Sequence, residues 1–190
     1  MSTGQFLRPV FFGENYMSDK DFDSAIMNIL KNEGGYTDGS NQVKDMPTNM
    51  GIQQATLNFY NKIYPEKNYP QNVKLLNLQQ AREIYKRLYW DNTKIPDIKN
   101  ARIRDAVFDM NVMGGAGIVV QLSFNEFVGT HILTVDGIIG TKTVAALNEI
   151  QDSYVDDFMV ILKKIRLEYL KKTPNWKTAK NGWIARTNEY

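Results

Sequence analysis

The chain has 190 residues, 43% of them hydrophobic and 12% aromatic, and a formal charge of only +2 from 23 Lys+Arg against 21 Asp+Glu. This composition suits one substantial core or two lobes sharing an interface, and it offers no large basic field for nucleic acid or an anionic membrane. With no cysteine and a single histidine, His131, disulfides, cysteine nucleophiles, cysteine zinc sites and most metal or triad chemistries are excluded, so no cofactor and no metal site is expected.

The opening stretch MSTGQFLRPVFFGENYMSDKD has no basic leader followed by a sustained apolar run, and no later stretch reaches the roughly 18 apolar residues of a membrane span. Neither a Sec-type signal nor a membrane span is therefore expected. Residues 1–17 have no clear period and read as an N-terminal arm. Ser18 with Asp21, followed by Phe22, Ala25, Ile26, Ile29 and Leu30 at helical spacing, predicts a helix over residues 19–32. Glu33 then falls at its C-terminal edge, where Gly34 and Gly35 stop it. Residues 36–50, rich in Gly, Ser, Asn, Asp and Thr, predict turns with a short, irregular hairpin.

A second helix is expected over residues 53–63, then a Pro-containing connector over 65–76. The third runs from an Asn77 cap, boxed by Gln80, through Ala81, Ile84, Tyr85, Leu88 and Tyr89. After a linker at 91–99, Ile103, Ala106, Val107, Met110 and Met113 mark a helix stopped by Gly114-Gly115, and a short helix then reaches Phe127. Residues 129–140 read as a connection holding the Asp136-Gly137 turn, with Thr141 as the cap of a helix through Ile150. The longest helix is expected last, with Val155, Phe158, Ile161, Leu162, Ile165 and Tyr169 on its apolar face and Pro174 ending it. The fold class read from this pattern is mainly α.

A glutamate at a helix end beside a Gly-Gly turn is held on a rigid element while the backbone leaves room for a ligand. Spacing alone favours an ordinary solvated residue, so the wider pattern carries the reading. Glu33-Gly34-Gly35-Tyr36, then Thr48-Asn49-Met50-Gly51-Ile52, then Tyr85 to Tyr89-Trp90, resembles glycoside hydrolase family 108, the lysozyme-like N-acetylmuramidases of phages and bacteria. Asp109-Met110-Asn111 with Gly114, Gln121-Leu122, Asp136 to Gly140 with Thr143 and Ala146-Leu147, and Gly182-Trp183 with Arg186 are similar to the peptidoglycan-binding region that follows in that family.

The resemblance implies a lysozyme-like helical fold with a hairpin or loop wall. It also implies a catalytic region at 18–100 and a helical peptidoglycan-binding region at 101–190, packed as one unit. By the same resemblance Glu33 is the general acid, which requires a raised pKa from a partly apolar cleft. The chain departs from the family where an Asp usually follows nine positions later, for Gln42 stands there. Asp45 is the candidate second group, ahead of Asp38, because it lies close to Thr48, whose hydroxyl can position water, whereas Asp38 is explained by a Thr-Asp-Gly-Ser turn. Tyr36, Asn49 and Trp90 are the candidate substrate-binding residues, with core packing the default for most aromatics.

The expected activity is cleavage of peptidoglycan between N-acetylmuramic acid and N-acetylglucosamine. A lytic transglycosylase, which needs no water, and a non-catalytic wall-binding or secretion accessory protein stand as alternatives. The expected partner is bacterial peptidoglycan, with no nucleic acid and a monomer favoured. The expected route is synthesis in the cytoplasm and action on the wall after holin release or dedicated export.

Overall fold

Apolar residues at helical spacing become helices along almost the whole chain. The computed structural model describes residues 18–32, 35–38 and 46–190; the expected arm at 1–17, Glu33 and Asp45 lie outside the described residues. Helix α1 (Ser18–Asn32) buries Phe22, Ala25, Ile26 and Ile29. Within the expected stretch 36–50 an antiparallel bridge joins Thr37 to Thr48, with residues 39–45 outside the described ones. A tight hairpin follows at 48–53, where strands β1 (Thr48–Asn49) and β2 (Ile52–Gln53) pair Thr48 with Gln53 and Asn49 with Ile52. Its turn residues Met50 and Gly51 have φ of 50° and 75°, the double positive φ of a type I′ turn, which matches the twist of the flanking strands.

Helix α2 (Gln54–Ile63) follows, and α3 (Leu78–Tyr85) begins at the expected capping box of Asn77 and Gln80. The expected α-helix through Tyr89 does not form, because residues 86–90 widen into a π turn closed by the Asp91 N–H donating to the Lys86 carbonyl at 2.8 Å. Helix α4 (Ala101–Met113) starts on an Asn100 side-chain cap and stops at Gly114 and Gly115, both with positive φ. Helices α5 (Ala116–Val128) and α6 (Thr141–Asn148) come next. Thr141 is the first residue of α6 and not its cap, which is Gly140 with no side-chain bond.

Helix α7 (Val155–Lys171) ends before Pro174, but it is not the last, for α8 (Trp176–Asn188) follows. Periodicity fails to announce α8 because it buries one residue fully, Thr187, and carries no apolar stripe. The architecture is mainly α, as expected, with one two-stranded sheet among the described residues. Among the same residues no helix is long and apolar enough to cross a membrane.

Two packing centres organise the helices. In the first, Trp90 meets Phe22 of α1 edge-on with ring centroids 5.6 Å apart and Phe108 of α4 at 4.9 Å, while Phe22 and Phe108 meet at 5.9 Å. The second surrounds α5, which packs against α4, α6 and α7, with Phe127 edge-on to Phe158 at 5.7 Å. Here Gly117 is required by close approach, since a Cβ at that position would lie 1.9 Å from the Gly137 carbonyl oxygen.

The connector between α2 and α3 is fastened by Glu83. Its carboxylate accepts from Tyr69 at 2.6 Å and pairs with Lys67 at 2.6 Å and Arg87 at 2.8 Å. Burial would raise its pKa, but the hydrogen bonds from Lys67, Tyr69 and Arg87 outweigh burial and bring it from the ordinary 4.5 down to about 2. A depressed carboxylate contributes stability that is complete above its unfolded pKa and lost as pH falls through its folded one. Unfolding free energy should therefore decline between pH 4.5 and about 2, and Glu83→Gln should lower stability at neutral pH while flattening that decline. Urea titrations of both proteins at pH 7, 4.5 and 2.5 check this; an equally steep acid limb in the variant would contradict it.

Candidate active site

The chain after α1 meets the hairpin at one antiparallel bridge. Thr37 and Thr48 exchange two backbone hydrogen bonds of 2.9 Å, so the chain leaving α1 is stitched to β1 within a few residues of Glu33. The hairpin is fixed from beneath by Tyr85, whose hydroxyl donates to the Met50 carbonyl at 3.0 Å. Tyr85 stacks obliquely on Tyr89, and the Tyr89 carbonyl accepts from the Asn111 side chain at 3.1 Å. The motif elements from Thr48, Tyr85, Tyr89 and Asn111 are thus one connected structure. A Cβ added at Gly35 would touch nothing within 4 Å, so Gly35 borders open space.

The sequence-selected residues separate here. Glu33 and Asp45 are outside the described residues, and Asp38 is exposed. Tyr36 is 41% exposed, with the Lys74 ammonium 5.2 Å from its ring centroid. Thr48 is half-buried on β1, opposite Thr37. Two assignments need correction. Trp90 is 0% exposed between Phe22 and Phe108, so it has no face to offer a sugar and serves the core. Asn49, expected at the substrate, is buried, and its amide donates to the carbonyls of Val73 at 3.0 Å, Lys74 at 3.3 Å and Leu76 at 3.2 Å. It fastens the connector to the hairpin.

The motifs of the second half are also engaged internally. Gln121, buried in α5, donates to Asp136 at 2.7 Å and to the Ile138 carbonyl at 3.0 Å, and it accepts from the Gly137 N–H at 2.9 Å. Asp136 is held below the usual carboxylate range by its bonds from Gln121 and the Ile138 N–H. In α4, Asp109 accepts from Arg186 at 2.9 and 3.1 Å and from the Tyr190 hydroxyl at 2.6 Å, which joins α4 to the end of α8. Burial and the Asp109 carboxylate push the Tyr190 hydroxyl far up, so it stays a neutral donor. Beside this cluster lies a cleft of about 540 Å³ whose walls include Asn28 and Lys31 of α1, Asp105 of α4 and Glu189. Burial raises the Asp105 carboxyl against the lowering effect of Arg104.

Sequence reasoning missed the connector. Gln54 donates to the Gln71 carbonyl at 2.8 Å and accepts from the Val73 N–H at 2.9 Å, and Asn61 donates to the Pro70 carbonyl at 3.0 Å. Asn49, Gln54 and Asn61 together hold residues 70–76, and only the run of amide side chains in 49–61 hinted at it. Asn49→Asp replaces a shared donor with an acceptor facing three carbonyls. It should cost about 1–3 kcal/mol of folding stability, read as a lower urea midpoint at unchanged slope. Unaltered stability with weakened substrate binding would restore Asn49 to the substrate.

The comparisons agree with this architecture. Residues 26–115 match the family described as Glycosyl hydrolase 108, a stretch that begins in α1, includes Glu33, Tyr36, Asp45 and Thr48, and ends just past α4. The solved structure of SagA from Brucella abortus is similar, at 28% identity and a TM-score of 0.68, over 90% of this chain and 91% of that one. No curated protein matches the chain by sequence. Residues 26–115 of this mainly helical chain are thus similar to glycosyl hydrolase family 108, and the chain as a whole shares its fold with SagA.

Proposed function

We propose that the chain is a peptidoglycan hydrolase of the lysozyme type, an N-acetylmuramidase that cleaves between N-acetylmuramic acid and N-acetylglucosamine. The observation that carries the reading is the family match over residues 26–115, which spans the end of α1 and the hairpin stitched to it. Glu33 is the general acid. It gives its proton to the glycosidic oxygen as that bond breaks, and the sugar left behind takes on oxocarbenium character. Asp45 acts as the second carboxylate and Thr48 positions the attacking water, while Tyr36 lies along the glycan. In a water-mediated arrangement the two carboxylates stand roughly 6.5–9.5 Å apart. Residues 101–190 supply a wall-binding region that folds as one unit with the catalytic region.

One departure favours a second reading. Gln42 stands where the family's Asp is usual, which suits a lytic transglycosylase, in which a muramoyl hydroxyl and not water closes on the oxocarbenium centre. Both routes need Glu33. Glu33→Gln keeps the shape of the side chain but has no acidic proton to give, so clearing of purified walls should fall by about 100-fold or more while the circular dichroism and unfolding midpoint stay those of the parent. A folded Glu33→Gln protein that clears walls at the parental rate would sink the assignment. A parent that binds walls without clearing them would favour the accessory role.

A further inference from the structure

Residues 70–76 form a connector without a regular helix or strand beyond one 3₁₀ turn, yet three amide side chains, Asn49, Gln54 and Asn61, bond its backbone. Asn49 belongs to the hairpin, so the connector is fastened to it. This anchoring fixes the backbone of Lys74 on both sides, through the carbonyls of Val73, Lys74 and Leu76. The Lys74 side chain reaches back to the ring of Tyr36, with its ammonium 5.2 Å from the centroid. Among the described residues no carboxylate pairs with it, although surface lysines elsewhere in the chain, such as Lys86 and Lys164, have acidic partners.

Tyr36 is three residues from Glu33, so their Cα atoms lie within roughly 11 Å along the most extended path. With Glu33 as the acid of the proposed reaction, the exposed Tyr36 ring and the Lys74 ammonium over it border the glycan near the cut bond. A cation held on an aromatic face keeps its remaining N–H donors for an anion, and it loses less freedom on binding than a free lysine.

We propose that Lys74, held over Tyr36, is a specificity-determining residue that binds a carboxylate of the glycan strand, so that the site prefers acid-bearing glycans to neutral ones. The proposal rests on the peptidoglycan hydrolase reading and deepens it. Peptidoglycan offers such a carboxylate from two sources, the acidic residues of its peptide stem and, where the stem has been removed, the lactyl group of muramic acid, which otherwise forms the amide to the stem.

The test measures initial cleavage rates and pelleting affinity of the full chain, the parent against Lys74→Gln and Lys74→Arg. The substrates are purified walls, the same walls with carboxyls converted to amides, and walls stripped of stems by an amidase. On native walls Lys74→Gln should raise the apparent KM and the Kd about two- to fivefold with kcat unchanged, and Lys74→Arg should stay near the parent. On amidated walls the parent should fall to the level of Lys74→Gln, and the variant should not change. Stripping removes the stem carboxylates and frees the lactyl ones, so a deficit that persists there shows that Lys74 binds the freed lactyl carboxylate, and one that vanishes there assigns the stem. Equal KM and Kd for parent and Lys74→Gln on native walls overturns the proposal, as does a deficit of the same size on amidated walls. If the parent cleaves nothing but its binding still depends on Lys74 and on free carboxyls, the hydrolase reading fails and this one stands.

Discussion

Trp90 packs edge-on against Phe22 and Phe108, and the position of the end of α1 depends on that contact. Each ring removes a large apolar area from water, and each edge-to-face pair adds about 0.5–1.5 kcal/mol beyond area burial. The three rings come from α1, the π turn and α4, elements separated by long stretches of sequence. A continuous α-helix through residue 89 would carry the indole to a different azimuth; the π turn brings it into the core. The wide turn is thus tied to what its last residue packs against. Because α1 is clamped along its apolar face, its C-terminal edge, where Glu33 stands in sequence, is set by core packing and not by the loop that follows.

The same logic explains what could and could not be read from the residues. Helix α1, the Asn77–Gln80 box, the Gly114-Gly115 stop and the apolar face of α7 were legible because local periodicity and capping chemistry determine them. The π turn was not, since only the tertiary demand for Trp90 distinguishes it from four more residues of α-helix. Helix α8 lacked an apolar stripe because it is joined to the fold largely through polar contacts, Arg186 and Tyr190 on Asp109. The tight turn at Met50-Gly51 was not legible, because Met-Gly is not a common type I′ pair, while the preceding Gly, Ser and Asn residues carry ordinary turn signals.

The candidate site shows a sharper division. Asn49 and Trp90 stand within the stretches that resemble the family, which made them candidates for the substrate; in the fold both hold other parts of the molecule in place. A motif records every residue whose loss damages function, and a clamp or a core indole qualifies as readily as a ligand contact. Gln121, Asp136 and Thr143 belong to the same class, a closed polar network that fastens residues 136–138 to α5. Exposure separates the two kinds of position: Tyr36 is exposed and carries an ammonium on its ring, whereas Asn49, next to the Thr48 that is stitched to Thr37, is buried.

The central claim concerns which bond is cut and what closes the reaction. Mass spectrometry of the soluble products of purified peptidoglycan digested by the full chain, before and after borohydride reduction, reads both directly. The account predicts fragments ending in reducible N-acetylmuramic acid, formed with uptake of one water from the solvent, so that digestion in ¹⁸O-water labels that end. Reducing N-acetylglucosamine ends, unlabelled anhydromuramic ends, or intact strands would each contradict it.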